Sequence, residues 1–203
     1  MSKGANLGEQ RAIEFFAQYR LTCVRYTKDE LRAGGKTPDF KVFNGKEFVL
    51  YSEAKHIQED LWLDNELKVS SPGTLVGGLR PDPIPNRIAA DIYTTAKQFI
   101  AVNPNHEYPN VLVLTNSDHQ CNISDLKAVI DGNIEFDSGV IEPMFKHVSE
   151  GRIRVPKRMI DLYVWCNEAL GAKYKYQLRF MRGSKHLIRL CALFGADPEK
   201  IKR

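Results

Sequence analysis

Apolar residues at helical spacing open the chain. Over residues 7–19, Ala12, Ile13, Phe15, Phe16 and Tyr19 gather on one broad side at 100° per residue, which predicts an amphipathic helix. Glu9 falls within that side, beside Ile13 and Phe16, whereas Glu14 lies roughly opposite. Residues 21–26 read as a short strand, and the charged, glycine-containing stretch 28–36 reads as a loop. Residues 40–43 and 46–55 look like strands flanking Asn44-Gly45, the strongest short-range hairpin signal. Residues 56–68 are helical but mixed, and 70–85, with three glycines and four prolines, predict a long loop.

The helical stripe resumes over 86–101 through Ile88, Ile92, Tyr93, Ala96, Phe99 and Ile100, and Asn103-Pro104-Asn105 stops it. The continuous apolar run 111–114 fits a strand buried on both faces and reached through a crossover helix. Ser124 opens a short helix ending near Gly132. Strands are expected over 162–166 and 173–181. In the second, Tyr174, Tyr176, Leu178 and Phe180 point one way and Lys173, Lys175, Gln177 and Arg179 the other. A last helix covers 184–194. This order predicts α/β layers: a central mixed β-sheet flanked by helices, with extra C-terminal strands and a helix.

At 203 residues and 43% apolar content, the chain is expected to form one domain, 1–203, with a core of its own. No apolar run approaches the roughly 20 residues that span a bilayer, and the N-terminus lacks the apolar segment of a signal peptide. The expectation is a cytoplasmic protein with no membrane partner. The four cysteines are scattered without a CxxC pair, so neither a disulfide scaffold nor a zinc site is indicated. The net charge of +4 hides an asymmetry: 13 Lys/Arg face 4 Asp/Glu from Arg152 onward, against 16 and 21 before it. A basic C-terminal portion beside an acidic one points to a nucleic-acid partner or to a solvated basic surface.

The candidate chemistry lies in the hairpin. Pro38-Asp39 is followed, 14 residues after the aspartate, by Glu53-Ala54-Lys55. Residues two apart on a strand share a face, so Glu53 and Lys55 emerge together and Asp39 arrives from the partner strand. Two carboxylates with a lysine suit a hard divalent cation such as Mg²⁺. The metal polarises a phosphoryl oxygen, while the lysine orients or helps deprotonate the attacking water and offsets charge on the phosphate.

This pattern resembles the PD-(D/E)xK nuclease superfamily, with its restriction-endonuclease-like fold, over about residues 7–116; the basic portion, about 150–203, would be an extension. The resemblance implies a Mg²⁺-dependent nuclease, with Mn²⁺ able to substitute, hydrolysing phosphodiester bonds, in DNA above RNA. It implies Asp39, Glu53, the Ala54 backbone carbonyl and Glu9 as metal ligands, with Glu9 the outer acidic residue of the catalytic set and Lys55 the catalytic lysine. The inward side of the first helix also prefers Glu9 to Glu14. Lys97 and Gln98 match a helix position where many members place a polar residue near the site. Many members act as homodimers, pairing cleavage of both strands. A catalytically silent nucleic-acid-binding or assembly module of the same fold is the alternative.

Glu66-Leu67-Lys68, Asp125-Leu126-Lys127 and Pro81-Asp82 repeat parts of the motif. Only Glu53-Ala54-Lys55 ends a β-rich run after a hairpin turn. Register sets a condition. A two-residue Asn44-Gly45 loop pairs Phe43 with Lys46 and Asp39 with Leu50, leaving Asp39 and Glu53 on opposite faces. An active site therefore requires a bulge, an odd loop or a bend before Phe40. Candidate phosphate contacts are Arg80, Arg87, Lys173, Lys175, Arg179, Arg182 and Lys185, with Arg189 beside them. His56 and His119 read as surface groups, and Trp62 and Trp165 as core anchors.

Overall fold

The structure is a computed structural model and describes residues 6–34, 36–59, 61–77, 83–135, 138–143, 153–168 and 176–202. Helix α1 (Leu7–Gln18) starts at Asn6, whose side chain accepts from the Glu9 N–H in a capping box. Strand β1 (Leu21–Arg25) follows, then α2 (Lys28–Gly34), β2 (Phe40–Asn44) and β3 (Glu47–Ile57). α2 replaces the loop expected over 28–36. Glu30 takes the Thr27 N–H and pairs with Lys41 of β2, so a charged stretch becomes a helix anchored at its first turn.

Helix α3 (Trp62–Val69), α4 (Ile84–Val102), β4 (Asn110–Asn116) and α5 (Ile123–Asp131) come next. The helix expected from 56 starts later because β3 runs on to Ile57. α5 is capped by Asn122 rather than Ser124 and closes on left-handed Gly132. β5 (Asn133–Glu135) and β6 (Ile141–Pro143) form a separate two-stranded ribbon, and Pro156–Met159 make a 3-10 turn; the hydrophobic pattern predicted neither. β7 (Leu162–Asn167), β8 (Tyr176–Phe180), α6 (Leu187–Phe194) and α7 (Pro198–Lys202) complete the order.

Six strands form one mixed sheet in the order β1-β2-β3-β4-β7-β8, in which β3, β4 and β7 are mutually parallel. β4 is buried at every position, as its unbroken apolar run requires. Its alternate residues feed two cores. Val111 and Val113 pack with Leu50, Ala54 and the α1 and α6 side chains. Leu112 and Leu114 pack with Ile57, Tyr163, Trp165 and the inner faces of α4 and α5. Tyr176, Leu178 and Phe180 of β8 face the α1 side, as their alternation predicts. No helix among the described residues is long and apolar enough to cross a membrane.

The hairpin meets the register condition. Asn44 pairs with Glu47, so Gly45 and Lys46 make the turn, with Gly45 at φ 58 in the leading position that favours glycine. This slides the expected pairing by two residues, which leaves the faces unchanged. The slip that exchanges faces is at Val49: Val42 pairs with Leu50 but Phe43 with Phe48. Val49 and Leu50 consequently both enter the α1-side core, two consecutive residues on one face. Beyond the bulge, Phe40 pairs with Ser52. Gly45→Ala is expected to cost about 1–2 kcal/mol in chemical denaturation, because alanine pays for the left-handed conformation. Gly77→Ala, at a position with ordinary φ and open space around its Cα, should stay within about 0.5 kcal/mol.

Candidate active site

Where the β2–β3 ladder ends, side chains continue it. The pair after Phe40 and Ser52 is Asp39 and Glu53. The Asp39 N–H donates to Glu53 Oε2 at 2.9 Å, and the Ala54 N–H donates to Asp39 Oδ2 at 2.9 Å. Lys55 donates from Nζ to Glu53 Oε1 at 2.5 Å. Helix α1 reaches this place by close approach: a Cβ on Gly8 would lie 3.2 Å from the Lys55 carbonyl carbon and oxygen. A side chain there would make the first turn or β3 give by a few tenths of an ångström. Glu9 follows, accepting from the Asn6 N–H at 3.3 Å and pairing with Arg25 of β1, and its charge is felt at Asp39. Glu14 pairs with Arg11 on the exposed side of α1, so Glu9 is the acidic residue that the helix delivers.

The electrostatics follow from burial. Glu53 is 2% exposed. Burial, and then the Asp39 charge, push its carboxyl up to about 7 against the pull of the Lys55 ammonium and the Gln98 amide. Burial likewise raises Asp39, with the Glu9 charge adding to it and the Ala54 N–H opposing it. Carboxylates held together in low dielectric favour a cation that restores the lost solvation. The donors are hard oxygens from Asp39 and Glu53, with the Ala54 carbonyl between Glu53 and Lys55, a set that fits Mg²⁺ or Mn²⁺. Gln98 adds an unpartnered acceptor: its Nε2 donates to the Thr37 carbonyl at 3.0 Å, while its buried Oε1 has no hydrogen-bond partner.

Helix α4 supplies one residue that sequence reasoning missed. Asp91 shares the inward face with Ile88, Thr95 and Gln98. Burial pushes its carboxyl up to about 6 although Lys55 and Arg87 pull it down. Its signal was a carboxylate inside an apolar stripe, the same signal that selected Glu9. Lys97 faces outward, its Nζ 4.3 Å from the Tyr93 ring centroid. Gln98 alone of that pair reaches the site.

The expected phosphate contacts scatter. Arg87 donates to the Gln58 carbonyl at 2.6 Å and to Asp118 Oδ2 at 3.1 Å, bracing α4 against the ends of β3 and β4. Arg179 makes a two-point contact with Asp131 at 2.7 and 2.8 Å. Lys185 donates to the Asn105 carbonyl at 3.3 Å, and Arg189 reaches Glu47 at 3.8 Å and Tyr108. Arg182 is exposed. Arg179, Arg182 and Lys185 lie on β8 or just after it, with β4 and β7 between them and β3. The described basic residues there do not adjoin the carboxylates. Arg80, Lys173 and Lys175 lie outside the described residues, as do Pro81-Asp82 and the Trp62 side chain. Glu66-Leu67-Lys68 and Asp125-Leu126-Lys127 are helical, and Trp165 is a core residue. His56, half-buried, sits 2.8 Å from Ser117 Oγ through Nε2, and burial pushes its pKa down. His119 is exposed, 3.9 Å from Glu59.

A second polar cluster lies at the amino ends of the parallel strands. Asp161, 1% exposed, accepts from His106 Nε2 at 2.7 Å, the Asn110 N–H at 2.7 Å and Ser184 Oγ at 2.5 Å. His186 Nε2 lies 2.8 Å from the His106 carbonyl oxygen. His106, Asp161 and His186 bring their ligand atoms within 4.8 Å of one another, close enough to hold one metal ion. Their hydrogen bonds also join the α4–β4 loop to the start of β7 and to the turn before α6. No protein-family model matches the chain, and neither a curated protein nor a solved structure shows significant similarity to it.

Burial gives the site a pH signature. An unfolded glutamate releases its proton near 4.5, whereas folded Glu53 holds it up to about 7, so the folded state binds more protons in between. Stability then falls as pH rises through that window; raised Asp39 and Asp91 act in the same direction and outnumber His56, whose lowered pKa opposes them. In a chelating buffer the melting temperature is expected to drop from about pH 5 to about pH 7.5, and Glu53→Gln to flatten the drop. A wild-type profile that is flat or rising across this window contradicts the burial argument.

Proposed function

We propose that this chain is a metal-dependent nuclease of the PD-(D/E)xK class, with a restriction-endonuclease-like core, hydrolysing phosphodiester bonds in nucleic acid and in DNA first. One observation carries the reading: the Val49 bulge turns the register so that Asp39 meets Glu53, with Lys55 on the same face. A regular hairpin would have separated the two carboxylates. Asp39, Glu53 and the Ala54 carbonyl would hold Mg²⁺ or Mn²⁺, with Glu9 as the outer carboxylate. The ion, when bound, supplies Lewis-acid polarisation of the phosphoryl oxygen. Lys55, now paired with Glu53, orients the attacking water and offsets charge growing on the phosphate. Gln98 holds the Thr37 carbonyl and with it the Pro38-Asp39 segment. Asp91 keeps a negative charge near Lys55.

The test is cleavage of a panel of DNA and RNA forms with Mg²⁺ or Mn²⁺. Chelation, Asp39→Ala and Glu53→Ala are expected to abolish cleavage. Lys55→Ala should lower kcat by about 10²–10⁴-fold, the range of a positioned proton-transfer group. Metal-independent binding of nucleic acid with no cleavage of any form contradicts the nuclease and supports the silent module.

A further inference from the structure

Resting on the nuclease reading, we propose that Arg25 takes the place of a second divalent cation, so that the site works with a single ion. Arg25 pairs across the ladder with Phe40, the residue after Asp39. Its guanidinium lies 5.7 Å from the Phe40 ring centroid and pairs with Glu9, the outer carboxylate. The Glu9 side chain is 13% exposed and that of Arg25 52%. The arginine therefore covers the solvent side of the carboxylate that a second ion would use.

A guanidinium keeps its charge at every working pH, so a second dication must displace Arg25 from Glu9 or sit against a fixed positive charge. The charge count points the same way. Four carboxylates, Glu9, Asp39, Glu53 and Asp91, face two cations, Lys55 and Arg25, while Arg87 is matched by Asp118. One divalent ion neutralises that set. A second would leave the set with a net positive charge before any phosphate binds. The half-exposed guanidinium also presents a fork of N–H donors, suited to a phosphate oxygen, where a second metal would otherwise stand.

The experiment is Mn²⁺ titration of the whole protein, followed by electron paramagnetic resonance of the free ion. Ions of this site are those lost on adding Asp39→Asn, which separates them from ions bound elsewhere. Wild type and Arg25→Lys are expected to bind one. Arg25→Met should bind two, and Glu9→Gln in that background should return the count to one. Arg25→Gln, also neutral, gives the same reading should methionine disturb the edge strand, and circular dichroism verifies folding in each case. Two ions in wild type, or one in both folded neutral variants, overturns the substitution of arginine for metal and leaves the nuclease reading standing. No ion in wild type overturns both.

Discussion

The site depends on one exchange of hydrogen bonds. Asp39 offers its N–H to the Glu53 carboxylate, and its own carboxylate takes the Ala54 N–H. Backbone donors that a longer ladder would have paired with carbonyls are paired with carboxylates instead. A buried backbone donor needs a partner, so the requirement that closes the end of β2 also fixes two acidic side chains beside one another. The exchange is available only because the Val49 bulge turns the register by one residue.

On the proposed reading, what packs around that pair favours a bound cation. The two cores close over both faces of the sheet and remove water from Glu53. Gly8 lets α1 come down on β3 and bring Glu9. α4 sets Asp91 near Lys55 and Gln98 beside Glu53. Lys55 compensates part of the negative charge, yet Glu53 is still raised to about 7. Stability and chemistry conflict here: the fold tolerates a destabilising set of buried carboxylates, as sites that bind ligands commonly do.

Much of this was legible in the order of residues. The α1, α4 and β4 patterns are strong because burial on one face or on both writes itself into period and run length. The hairpin and the need for a bulge, an odd loop or a bend were legible too, since a regular hairpin keeps Asp39 and Glu53 on opposite faces. Which irregularity forms was not: Val49 and Leu50 are adjacent apolar residues, and nothing local says that both face the core. α2 was hidden because its helix is held by Glu30 reaching Thr27 and Lys41, contacts that no periodicity records. Charge counted along the chain ignores strand order, which sets β8 at the opposite edge of the sheet from β1 and pairs Arg179 with Asp131.

The central claim is that Asp39 and Glu53 form a divalent-cation site, and the most direct measurement is an anomalous difference map from crystals of the whole protein grown with Mn²⁺. The account predicts a peak between the Asp39 and Glu53 carboxylates, with oxygens at about 2.0–2.3 Å. A map empty there, or one whose only peak lies at His106, Asp161 and His186, contradicts it.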